Sequence, residues 1–129
     1  MDSEASAPRR VDVVAHATAA LAGAGVWLWV SALTGRLEAW DAPLDWQAGY
    51  PALGLACAAI GFARAQATHR IGFTAAASRI VVMVLRQQGV GALMPLGVLF
   101  ACALGLPLGM LAVAGRWLAG REWRRPRAR

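Results

Sequence analysis

A chain of 129 residues has room for one domain, and 58% apolar side chains with a mean hydropathy of +0.48 exceed the ordinary soluble range. The net charge of +6 and pI near 11.3 would point to nucleic acid in a soluble protein, but six of the thirteen arginines lie in the last fourteen residues, behind a long apolar segment. That is where a membrane protein keeps its cytoplasmic positive charge, so the expected partner is the lipid bilayer and no nucleic-acid partner is expected.

The predicted elements are all helical. Met1 to Arg10 is polar and reads as a cytoplasmic N-tail, followed by a first helix over 11–33. That apolar stretch is too long for a signal peptide, so an uncleaved span is expected. Ala15, Ala19 and Gly23 recur every four residues on one face, a spacing that lets helix backbones approach closely. Trp27 and Trp29 fit an aromatic belt at the far boundary.

Residues 34–49 interrupt the hydrophobicity with Arg36, Glu38, Asp41, Pro43 and Asp45, and carry Trp40 and Trp46. They read as an acidic, aromatic connection at the outer interface. Tyr50-Pro51 opens a second helix over 50–65, with proline in the first turn where its missing N–H is not needed. Residues 63–70 read as a short basic cytoplasmic connection.

A third helix is predicted over 72–88, with Arg79 and Arg86 flanking its apolar centre, a composition that by hydropathy alone also fits an interfacial or re-entrant helix. A fourth runs over 91–117, with Pro95 and Pro107 expected to kink it and Gly105 and Gly109 forming a GxxxG pair. Residues 120–129 make a basic cytoplasmic C-tail. The transmembrane domain thus spans 11–119.

Charge asymmetry fixes the expected topology. With four crossings, the N-tail, second connection and C-tail share one side and hold Arg9, Arg10, Arg64, Arg70 and the terminal arginines, while the opposite side holds Arg36 and Arg86. The expectation is a multi-pass, N-in/C-in bundle of four transmembrane helices in a bacterial inner membrane, with Arg79 near the cytoplasmic half of helix three.

Arginine inside a span costs roughly 2.5–3.5 kcal/mol on insertion scales, which makes it a functional candidate. Arg79 and Arg86, seven residues apart, with Gln87 and Gln88, form either a polar intramembrane face or two side chains snorkelling to opposite interfaces. Asp12 and His16, one turn apart, are a candidate proton or ion pair that Arg79 or Arg70 would complete; the plainer account is a helix-start acid and an interfacial histidine. Arg121, Arg124, Arg125, Arg127 and Arg129 are placed to hold anionic lipid headgroups. Cys57 and Cys102 sit in apolar runs without the spacing of a disulfide framework or zinc site. His69, expected in a connection, does not pair with His16 as a haem ligand. No hydrolase, P-loop or metalloprotease motif is present. No cofactor, metal or catalytic residue is therefore expected.

Trp46, Gly49-Tyr50-Pro51, Gly61, Leu93-Met94-Pro95-Leu96-Gly97 and Leu106-Pro107 together resemble small four-helix bacterial inner-membrane proteins without an assigned activity. The resemblance covers most of the chain and implies the topology alone. Tyr50-Pro51-x-x-Gly54 with Gly61 is also similar to the small membrane subunit of tripartite tricarboxylate transporters. The functional expectation is a non-enzymatic accessory or assembly subunit that packs against other membrane chains or itself. The alternative is a small subunit or homo-oligomer of a transporter for an anionic solute, with the Arg79/Arg86 face lining the path.

Overall fold

The computed structural model describes residues 6–63, 68–87 and 94–122. Among them the chain is helical throughout, with no strand: α1 (Ser6–Thr34), a 3-10 turn (Ala39–Asp41), a π-helical turn (Asp45–Gly49), α2 (Tyr50–Phe62), α3 (Thr68–Gln87) and α4 (Met94–Glu122). Two helices, over Arg10–Thr34 and Met94–Arg121, are long and apolar enough to cross a membrane by length and composition. α2 is shorter, and α3 carries Arg70, Arg79 and Arg86.

Helix ends depart from expectation for identifiable reasons. α1 starts at Ser6, so part of the expected N-tail is helical; Pro8 falls in its first turn, where a proline removes no helical bond. At its other end Gly35 adopts φ +69° and donates its N–H to the Ser31 carbonyl at 2.9 Å, a left-handed cap that favours glycine. α2 is preceded by the π turn, itself entered through helical Pro43 and Leu44, so helical winding begins at Pro43 instead of Tyr50. α3 begins at Thr68, which moves His69 and Arg70 out of the expected connection and into a first helical turn. Its buried positions Thr68, Ile71, Gly72, Ala75, Ala76, Arg79, Ile80 and Met83 recur with a helical period, a stripe that the basic side chains between them conceal from a hydropathy window. α4 runs on to Glu122, taking in the start of the expected C-tail. Pro95 lies in its first described turn, where no kink is required, whereas Pro107 is interior.

Contacts along the helices give their order and direction. α1 lies beside α3 and runs the same way, from His16 opposite Thr74 to Trp27 beside Arg79. α3 and α4 are antiparallel, with His69 against Gly109 and Met83 near Gly97. α4 and α2 are parallel, with Tyr50 bonded to Leu104 and Gly61 against Ala112. α1 and α2 close the ring. Arg10, Arg70, Arg116 and Arg121 consequently share one end of the bundle, and the 34–49 connection occupies the other.

Small residues hold the helices together. A Cβ built on Gly23 would overlap the Ala75 carbonyl and the Ser78 hydroxyl of α3. One on Gly72 would strike the backbone of Gly105 and Gly109, one on Gly61 the Ala112 carbonyl, and one on Gly115 the Ala58 carbonyl. Ala15 and Ala19 are buried in the same core, with Leu53, Cys57, Ile71 and Leu108. Ala15, Ala19, Gly23, Gly105 and Gly109 thus serve packing within the chain. Close backbone approach at such positions supplies van der Waals contact where the hydrophobic effect is weak.

Candidate functional site

Arg79 and Asp45 meet inside the bundle. The π turn carries the Asp45 carboxylate inward, and Arg79 Nη2 donates to Asp45 Oδ2 at 2.5 Å across 34 residues of sequence. Both side chains are buried, 3% and 0% exposed. π turns often occur at functional positions because they re-aim a side chain out of the α register. The acidic residue that the apolar segments lack is therefore supplied by the connection. Arg79 neither snorkels toward the basic end nor lies in that half: it is the twelfth of the twenty residues of α3, on the connection's side of the bundle.

An aromatic shell surrounds the pair. The Arg79 guanidinium carbon lies 5.4 Å from the ring centroid of Trp27, within cation–π range. Trp27 is fully buried and meets Trp40 edge-to-face at 4.9 Å. Phe100 of α4 contacts Trp40 and Trp46, and Trp46 packs on Tyr50. The Tyr50 hydroxyl donates to the Leu104 carbonyl at 2.7 Å, three residues before Pro107 and beside the Ala103 carbonyl, which that proline leaves without its helical donor. Such side-chain donors are how interior prolines are tolerated in apolar surroundings.

The polar capacity of the pair is only partly used. Arg79 Nε and Nη1 and Asp45 Oδ1 have no hydrogen-bond partner among the described residues, nor do Trp27 Nε1 and Ser31 Oγ. A cavity of about 10 Å³ adjoins Arg79, lined also by Trp40, Tyr50, Ala76 and Leu104. Its volume matches a single water molecule, far below the roughly 300–1,000 Å³ of small-molecule sites.

The other sequence-predicted residues are separated. Arg86 is exposed, and Gln87 Nε2 donates to Glu38 Oε1 at 3.0 Å, so the Arg79–Gln87 stretch ties down the connection. Gln88, Arg124, Arg125, Arg127 and Arg129 lie outside the described residues. His16 Nδ1 and Thr74 Oγ1 are 2.7 Å apart across the α1–α3 contact; Arg79, one partner considered for Asp12, is taken by Asp45. Cys57 and Cys102 are free thiols, one buried and one exposed. Among the described residues no three metal-ligating side chains come together.

Asp45 is the residue that sequence reasoning missed. Its signal was a charge inventory: a buried arginine in an apolar helix requires a nearby carboxylate, and Asp45 stands one turn before the Gly49-Tyr50-Pro51 opening of α2.

No family model matches the chain, and neither a curated protein nor a solved structure matches it.

Proposed function

We propose that this chain is a non-enzymatic integral membrane protein, a four-helix bundle of the inner membrane with both termini cytoplasmic, acting as an accessory or assembly subunit of a larger membrane complex. The observation that carries the reading is the distribution of apolar side chains. Large ones are exposed on every helix, including Leu21 of α1, Leu55 of α2, Leu85 of α3 and Met110 of α4, each more than 70% exposed. The interior holds glycine, alanine and an ion pair beside a limited set of larger apolar residues such as Trp27, Leu53, Ile71 and Leu108. Water-soluble monomers rarely expose apolar patches beyond a few hundred Å², whereas lipid is a suitable solvent for such an exterior.

Two features support four crossings. α1 and α3 run against α2 and α4, and Arg79, the charge that disfavours α3 as a span, is neutralised by Asp45. A path for an anionic solute along Arg79 and Arg86 is less well supported, because the first guanidinium already has a carboxylate and the second points outside the core.

The test pairs localisation with topology. Reporter fusions at residue 37, within 64–67, within 88–93 and after residue 129 are expected to alternate between compartments in that order, with the chain in the membrane fraction. The same compartment on both sides of α3 would refute four crossings. Purification in mild detergent is expected to retain further membrane chains; a lone monomer would refute the subunit role.

A further inference from the structure

Between α3 and α4, at the basic end, the surface opens into a groove of about 500 Å³. Its walls are apolar: Phe73 from α3, and Leu106, Met110 and Val113 from α4, with Gly109 at its floor. His69 and Trp117 stand at its mouth. The Arg121 guanidinium lies flat over the Trp117 ring at 3.9 Å, which fixes a cation there at an exposed position. His69 is exposed in the first turn of α3, which adds the positive end of a helix dipole.

We infer that this groove binds one anionic phospholipid, its headgroup phosphate held by Arg121 and His69 and one acyl chain laid along Phe73, Met110 and Val113. The inference rests on the membrane reading above and adds a defined lipid site to it. Charge identifies the class of lipid, since basic pockets between helices at the cytoplasmic face select anionic headgroups. Shape identifies the other part of the ligand. The groove follows α4 over the axial rise from Leu106 to Trp117, about 16 Å, with apolar side chains on both walls, a lining that suits a polymethylene chain. The Trp117–Arg121 pair marks the boundary where the apolar wall gives way to the phosphate level, as amphipathic aromatic rings do at membrane interfaces.

The full chain, purified from membranes in mild detergent, is titrated with phosphatidylglycerol or phosphatidylcholine of identical acyl chains and examined by native mass spectrometry. One phosphatidylglycerol is expected to stay bound in preference to phosphatidylcholine. Arg121→Gln is expected to reduce that retention about fivefold. Ala114→Trp, at an exposed groove position, keeps every charge and fills the trough, and is expected to displace the lipid with helicity by circular dichroism unchanged. Equal retention of the two lipids, or full retention by Ala114→Trp, would overturn the site while leaving the membrane reading intact. A second protein chain cross-linking at residue 114 in place of lipid would likewise overturn it. Recovery of the wild-type chain in the soluble fraction would instead remove the membrane reading and this site together.

Discussion

Asp45 and Arg79 stabilise the bundle only as a pair, because either charge alone would be buried without a partner. Breaking such a pair by removing one member costs about 3–5 kcal/mol, whereas replacing both by neutral side chains is often close to neutral. Arg79→Met and Asp45→Asn are therefore each expected to lower stability by about that amount, and Asp45→Asn/Arg79→Met by much less than the sum of the two. Loss of helicity on titration with a denaturing detergent measures it; single variants as stable as the wild type would show that the pair contributes nothing. The arginine was legible in the sequence as an expensive residue. Its partner was not, because Asp45 sits among Glu38, Asp41 and Pro43 in a segment whose composition matches a solvent-facing connection. The inward turn depends on π winding over Asp45–Gly49, for which the sequence carries no short-range marker. The burial of Trp27 was hidden for a related reason: the groups that cover it, Arg79 and Trp40 among them, come from distant parts of the chain.

Element packing was more legible, since periodic small residues announce contact faces. Ala15, Ala19 and Gly23 do form one such face, and the GxxxG pair of α4 forms another, yet the partner of each face is decided by tertiary arrangement. Gly105 and Gly109 meet Gly72 of α3, a residue whose neighbours Arg70 and Phe73 give no hint of an interior stripe. A substitution series separates glycines that permit close approach from those that do not. Gly72→Ala and Gly61→Ala place a methyl group against the backbone of α4 and are expected to destabilise by about 1–3 kcal/mol, the usual cost of overpacking. Gly25→Ala meets nothing within 4 Å and is expected to be neutral, or to stabilise by up to about 1 kcal/mol through the helix propensity of alanine. Detergent-induced unfolding of the three variants checks the order; equal behaviour would show that backbone proximity does not limit stability here. Helix ends were the least legible feature, because Ser6, Thr68 and Glu122 are polar termini that extend apolar segments without changing their hydropathy.

At the scale of the whole molecule, the 34–49 connection is anchored to α3 twice, by Asp45 to Arg79 and by Glu38 to Gln87. Glu38 also accepts a hydrogen bond from Trp40 Nε1 at 2.9 Å, so the anchor continues into the aromatic shell. The hairpin of α1 and α2 and the helix that follows it are thus joined by contacts that neither can make alone. Chains emerge from the ribosome N-terminus first, and this imposes an order on biogenesis. The carboxylate is synthesised 34 residues before its guanidinium, and it must await α3 before it can be buried at tolerable cost. A nascent chain halted before residue 68 is accordingly expected to hold Asp45 accessible to a water-borne carboxyl-modifying reagent, while the completed chain shields it. Equal protection in both would mean that the early hairpin seats itself without help. The counter-ion for the least apolar helix is, in effect, made ahead of the helix that requires it.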